Sequence, residues 1–189
     1  MSVQDRARSS RFQLRLMWYR MKEASSFSRD GILELRDSET ATGQAIAVLV
    51  FTALAIGIGS TLQIELQTNT LSVYGILVGV LGNIITGSFA AFVWSGTLFL
   101  VGTKLFQGKT EFWQLARPMF FAGSPALLFV LVAVPVQLFY GAVAILAAGW
   151  IIALQGFVLK QVMGFDTRRT VLTLAVGFMI LLFVYLSFR

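Results

Sequence analysis

The sequence predicts an all-α integral membrane protein, a polytopic bundle of five transmembrane helices with its N-terminus in the cytoplasm and its C-terminus outside. Hydrophobic residues make up 57% of the 189 residues and charged residues only 13%, about half the ~25% that is usual in soluble domains. The charges are also unevenly spread, because residues 66–103 and 118–159 contain none. Apolar runs of about 18 residues or more are transmembrane candidates, so a soluble enzyme is excluded.

The chain contains neither His nor Cys. It therefore has no disulfide, no thiolate nucleophile, no imidazole metal ligand and no side chain that ordinarily titrates near neutral pH. We expect no catalytic residue, no metal and no cofactor. The net charge is +6, and the basic residues flank the apolar runs. This pattern predicts contact with lipid headgroups and no binding of nucleic acid.

Five apolar segments account for the predicted crossings. They cover approximately residues 44–62, 71–101, 119–138, 140–159 and 171–188. The long run 118–159 must divide, and residues 137–141 are its natural break, because about 20 residues cross the hydrocarbon core. The run 71–101 fits either one long tilted helix or two short crossings.

The basic residues decide both this choice and the orientation. With five crossings, 14 of the 15 Lys and Arg residues lie on one side and only Arg189 on the other. A sixth crossing would destroy this asymmetry, and the side rich in basic residues is normally cytoplasmic. The sequence does not decide whether residues 71–80 lie in the membrane or at its interface. Of these, we assign Leu71–Tyr74 to the interface.

The first 42 residues are predicted to be a cytoplasmic segment, ahead of a transmembrane domain over residues 43–189. Residues 1–22 carry a net charge of +5 and residues 23–42 a net charge of −3. At helical spacing, the apolar residues of Arg11–Lys22 form two opposite faces. This pattern predicts an interfacial helix that serves as a membrane anchor or contacts a partner. The candidate contacts are Phe12, Leu16, Trp18 and Tyr19.

No Asp, Glu, Lys or Arg falls inside the predicted spans, which argues against a proton-coupled pump. The second span instead carries a ridge of mostly small residues, which recur every four positions: Gly75, Gly79, Asn83, Gly87, Ala91 and Ser95. Such a ridge lets helix backbones approach closely. It predicts either internal packing or a docking face for another helix. In the loop 102–117, Trp113 and Arg117 are candidate interfacial or partner contacts.

A resemblance to a known family rests on short motifs. The stretch from Leu100 through Phe106-Gln107-Gly108-Lys109-Thr110-Glu111-Phe112 into Ala122-Gly123-Ser124-Pro125 resembles the Ypt-interacting-protein (YIP) domain family. Trp150 and Phe165-Asp166-Thr167-Arg168-Arg169 are similar to its bacterial members. The resemblance covers about residues 43–188 and implies a five-helix protein of the bacterial inner (cytoplasmic) membrane. Eukaryotic members bind Rab-type GTPases, but the N-terminal segment here lacks the Asp-Leu-Tyr-Gly-Pro type of motif, so no GTPase-binding residue is carried over.

These observations favour a scaffold or accessory subunit, not an enzyme, that acts through contacts with lipids, other membrane proteins or copies of itself. The alternative is a small lipid or solute transporter. It is prompted by Pro125 within the third span and by the polar residues Asn83, Ser95 and Gln155. A cavity that joins these three residues would favour the transporter. An enzyme acting on lipid is the least supported, since no buried acid, His or Cys is available.

Overall fold

The computed structural model describes residues 13–69, 72–133 and 137–187, and within them every regular element is helical. The α-helices are α1 Leu14–Ser25, α2 Arg29–Asp37, α3 Ala41–Thr68, α4 Val73–Leu100, α5 Phe112–Ala122, α6 Gln137–Met163 and α7 Thr167–Ser187. Helix α4 continues as a π-helical turn over Val101–Leu105, and α5 is followed by a 3-10 helix over Ser124–Ala133.

Five segments of the described chain are long and apolar enough to cross a membrane. They are Ala41–Thr68, Val73–Leu105, Phe112–Ala133, Tyr140–Met163 and Thr167–Ser187. The predicted all-α bundle of five membrane-spanning helices is therefore confirmed, and so is a single long helix where two short crossings were the alternative. The orientation remains a prediction from the distribution of charge.

One end of the bundle gathers α1, α2, the α4–α5 connection and the α6–α7 connection. Gly102 and Gly108 both lie against Met163 and Phe165, and the ring centroids of Phe106 and Phe165 are 6.4 Å apart. The Lys and Arg residues of the described chain belong to α1, α2, α5, the α4–α5 connection and the facing ends of α6 and α7. We call it the basic end.

Helices α1 and α2 pack onto α5 and α6 at the basic end. Met17 and Met21 of α1 and Ile32 and Leu35 of α2 are buried in one apolar cluster. The same cluster contains residues 115–122 of α5, except for Arg117 and Pro118, and the end of α6. The described part of the N-terminal segment therefore shares an apolar core with the membrane bundle.

Helix α3 packs against α4, α5 and the 3-10 helix. Gly59 lies so close to the backbone carbonyl of Phe129 that a Cβ at this position would collide with it. The change from α-helix to 3-10 helix occurs at Ser124-Pro125, where proline cannot donate a backbone hydrogen bond. The third span thus changes its helix type in the segment whose backbone meets α3.

Candidate contact surfaces

The small-residue ridge of α4 faces α3. A Cβ built on Gly79 would lie 2.7 Å from the Thr61 side chain, and one built on Gly87 would lie 3.5 Å from Ala53 Cβ. Ser95 is 2% exposed, and Ala91 packs against the apolar cluster. Within the chain this face packs against α3, although apart from Ser95 its residues are only partly buried. A role as a docking face for another helix stays a prediction.

The two remaining ridge residues, Asn83 and Gly75, also lie against α3. Asn83 donates its amide N–H to the Gly79 carbonyl of its own helix at 2.9 Å and does not bond across to α3. Gly75 lies beside the Glu65 carboxylate, and this carboxylate also accepts the Ser72 backbone N–H at 3.0 Å. Glu65 thus holds the start of α4 against the end of α3.

Helix α1 has a buried side and an exposed side. Met17 and Met21 point into the bundle and are buried, whereas Leu14, Trp18 and Tyr19 are 62%, 66% and 59% exposed. Leu16 is partly buried on the same side as Tyr19. Phe12 lies outside the described residues. The outer side of α1 is therefore apolar and uncovered, which makes it the first candidate contact surface.

Arg20 fixes this helix in place, and sequence reasoning missed it. Its guanidinium donates to Gln44 Oε1 at 2.5 Å and to the Glu34 carboxylate at 2.5 and 3.2 Å. It also donates to Ser38 Oγ at 3.1 Å. Because these partners belong to α2, α3 and their connection, one side chain joins three elements. The available signal was helical spacing, which places Arg20 beside the inward-facing Met17.

Arg117 differs from its expected interfacial position. Its side chain donates to Thr42 Oγ1 at 2.7 Å and to the Arg36 carbonyl at 3.0 Å, and the residue is 8% exposed. The end of α2 and the start of α3 supply these acceptors, so the Arg117 side chain is turned inward and not toward headgroups. Trp113 stays nearer the surface at 37% exposure, edge-on to Phe92.

A groove of about 350 Å³ runs between α1 and α2. It is lined by Leu16, Tyr19, Arg20, Glu23, Asp30, Gly31 and Glu34. Three carboxylates face a single guanidinium there, and that guanidinium is already bonded to Glu34. The groove therefore combines an apolar side with an excess of negative charge, and we call it the acidic groove.

A smaller cavity of about 160 Å³ lies inside the bundle, between α3, α4, α5 and α6. Its polar lining comes from Thr52, Trp94, Ser95 and Gln155, and Trp94 Nε1 donates to Gln155 Oε1 at 2.9 Å. The cavity joins Ser95 and Gln155, but Asn83 does not line it. Among the described residues, no group of three acidic side chains could hold a metal ion.

The Yip1 domain matches residues 27–188. This chain belongs to the Yip1 domain family. The match confirms the family resemblance, and it begins ahead of α2, so this helix is part of the family's domain. No curated protein and no solved structure matches.

The motifs that carried the resemblance meet at the basic end of this Yip1 domain. Gly108 packs against Phe165, which precedes α7, and its backbone N–H bonds the Gly102 carbonyl at 2.9 Å. Ser124 shares a hydrogen bond of 2.8 Å with Ser25 of α1. These residues hold connections and helix ends together, which is a structural role.

Proposed function

We propose that this Yip1 domain protein is a scaffold or accessory subunit, not an enzyme, of the bacterial inner membrane. It holds a protein partner through the acidic groove, with the basic end in the cytoplasm. The observation that carries the proposal is the groove itself, an uncovered apolar and acidic surface on helices that are firmly attached to the bundle.

The chemistry of the groove suits a basic segment with an apolar anchor. Exposed Tyr19 and partly buried Leu16 offer the amphipathic and apolar surface on which binding energy usually concentrates. Glu23 and Asp30 line the same groove, and complementary charge mainly sets partner choice and association rate. A partner that presents Lys or Arg beside an apolar residue would contact both the acidic and the apolar residues of the groove.

The groove is also preorganised. The bonds of Arg20 to Glu34 and Gln44 and the burial of Met17 and Met21 hold α1 against α2 and the bundle. A surface that is already rigid loses less conformational entropy when a partner binds. This favours stable recruitment over a transient encounter.

Capture from mild detergent tests the proposal. We expect wild-type protein to retain a partner, or a second copy of itself, that the Glu23→Gln/Asp30→Asn double variant retains about tenfold less, since two charged contacts are lost. The matched control is Glu39→Gln, an exposed acid outside the groove. Partner-free, monomeric wild-type protein would contradict the proposal, and so would equal loss in the control.

The internal cavity supports the second candidate, a small lipid or solute transporter. Its volume of about 160 Å³ is below the ~300–1,000 Å³ of ordinary ligand pockets, so only a small solute fits without helix movement. If the cavity conducts a solute, Gln155→Leu should lower its flux into proteoliposomes and Gln114→Leu, outside the cavity, should not. Equal flux in empty vesicles and in vesicles with the wild-type protein would contradict this candidate.

A further inference from the structure

A second groove, on the opposite side of α1 from the acidic groove, has a volume of about 320 Å³. Its walls come from α1, from the start of the 3-10 helix and from α6. The lining residues are Trp18, Met21, Lys22, Ser25, Ser124, Pro125, Leu127, Leu128 and Trp150. We call it the tryptophan groove.

Hydrogen bonds tie its three walls together. Trp150 Nε1 donates to the Ser25 carbonyl at 3.1 Å, and the hydroxyls of Ser25 and Ser124 are 2.8 Å apart. The end of α1 is thereby bonded to both α6 and the 3-10 helix. These hydrogen bonds fix the three walls of the groove relative to one another.

The position of Trp150 shows what surrounds the groove. Trp150 lies within the membrane-spanning segment Tyr140–Met163, about 20 Å along the helix from Met163 at 1.5 Å per residue. It is 42% exposed, and Leu128 beside it is 39% exposed. The apolar wall of the groove is therefore uncovered on a segment that is long and apolar enough to cross a membrane, and we infer that lipid surrounds it.

The α1 wall supplies a cation beside this apolar surface. Lys22 lines the groove, and no hydrogen bond or ion pair of its ammonium group is seen among the described residues. Arg15 lies on the same face of α1 as Trp18 and Lys22, at positions i, i+3 and i+7. A basic side chain next to tryptophan, at the edge of an apolar surface, is the arrangement typical of the headgroup level of a membrane.

We propose that the tryptophan groove binds an anionic phospholipid of the adjoining leaflet. The headgroup phosphate pairs with Lys22, and an acyl chain lies over Leu127, Leu128 and Trp150. Charge complementarity and the uncovered apolar wall together select this occupant over a neutral lipid or a water-soluble partner. The inference is independent of the acidic groove, which lies on another face of α1 and attracts the opposite charge.

Quenching of tryptophan fluorescence by brominated lipids tests the proposal. The Trp94→Phe/Trp113→Phe variant of the full chain leaves Trp18 and Trp150 as its emitters, and it is reconstituted in phosphatidylcholine vesicles. At equal mole fraction, we expect brominated phosphatidylglycerol to quench more than brominated phosphatidylcholine. Lys22→Gln should reduce this preference about fivefold, as expected for one basic residue at an anionic surface. Lys109→Gln, an exposed lysine outside the groove, should leave it intact.

Native mass spectrometry gives a second measurement on the chain with all its tryptophans. Wild-type protein and Lys109→Gln should keep phosphatidylglycerol through detergent purification, and Lys22→Gln should lose most of it. Equal quenching by the two lipids, or equal lipid retention by the Lys22 and Lys109 variants, would overturn the proposal. Undiminished partner capture by the Glu23→Gln/Asp30→Asn variant, with lipid still lost in Lys22→Gln, would refute the proposed function alone.

Discussion

The two ends of the bundle are held together in different ways. At the basic end, large side chains such as Leu115, Phe121 and Leu159 are fully buried, and two buried guanidinium groups bridge separate elements. In the far half, which comprises residues 53–69 and 72–91 and the 3-10 helix, glycines bring backbones together, as at Gly59 and Phe129. Both regions are closely packed, but only one has a core of large residues.

The surroundings explain the difference. Near the membrane surface, burial of apolar area still removes it from water, so Met17 and Ile32 stabilise the attachment of α1 and α2. Deeper in the bilayer, packing two helices together removes no apolar area from water. Helices there associate through van der Waals packing of small residues. The far half should therefore be sensitive to added volume, and the basic end to lost contacts.

The largest effect is expected at Gly59. In Gly59→Ala the new methyl group collides with the Phe129 carbonyl, which is backbone and cannot rotate away. We expect a cost of about 3 kcal/mol or more, at the upper end of overpacking, seen as loss of the monodisperse species in size-exclusion chromatography.

Gly82→Ala is the matched control for this substitution. Gly82 lies within α4, and a Cβ there meets nothing within 4 Å. It should leave the elution profile unchanged and raise the melting temperature slightly, through the better helix propensity of Ala. If Gly59→Ala behaves like Gly82→Ala, the close approach of α3 to the 3-10 helix is wrong.

The next largest effect is expected at Arg20. Arg20→Met preserves apolar volume but leaves the buried Gln44 side chain without its guanidinium donor. An unsatisfied buried polar group costs about 1–3 kcal/mol. We expect α1 and α2 to loosen, so that limited proteolysis cuts near residues 25–28 sooner, while the five-helix bundle stays folded.

Arg15→Met is the control, because Arg15 is exposed on α1. Its proteolysis pattern should match that of the wild-type protein. Unfolding of the whole bundle in Arg20→Met would contradict the proposal that the two regions are stabilised separately. It would mean that the far half also depends on α1 and α2.

A smaller effect separates two residues that look equivalent in the sequence. Gly79→Ala places a methyl group 2.7 Å from Thr61, whereas Gly87→Ala places one 3.5 Å from Ala53, an ordinary contact. We expect Gly79→Ala to cost about 1 kcal/mol, because the Thr61 side chain can turn away, and Gly87→Ala to be neutral. Melting temperatures in detergent measure both, and the reverse order would contradict the packing of α4 on α3.

The comparison also shows how far the sequence leads. Charge-free runs and the distribution of Lys and Arg predict five crossings because a bilayer excludes charge over a fixed thickness. The charge pattern does not show that the Arg117 side chain is buried, because its acceptors come from Thr42 of α3 and Arg36 of α2, which are far from it in the sequence. Similarly, the four-residue spacing of the ridge predicts close packing of α4. It does not show that the tightest approach is that of Gly59, on α3, to the Phe129 carbonyl of the 3-10 helix.

The smallest expected effect concerns the exposed pair Arg36 and Asp37 at the basic end. The Arg36 guanidinium donates to both Asp37 carboxylate oxygens, at 2.7 and 2.9 Å, and this hydrogen bonding lowers the pKa of Asp37. A carboxyl group with a lowered pKa in the folded state adds stability above its unfolded pKa of about 3.9. That contribution disappears as the pH falls through the folded value.

Melting temperatures of wild type and Asp37→Asn, measured from neutral pH down to about pH 3, check the sign of this effect. The wild type should melt slightly higher at neutral pH, and the two curves should converge in acid. The difference should stay small because the Asp37 side chain is 60% exposed and surface pairs are screened by water. A melting-temperature difference that grows as the pH falls would contradict the lowered pKa of Asp37 in the folded protein. A difference as large as that of Arg20→Met would mean that exposed charge, and not buried side chains, holds the basic end together.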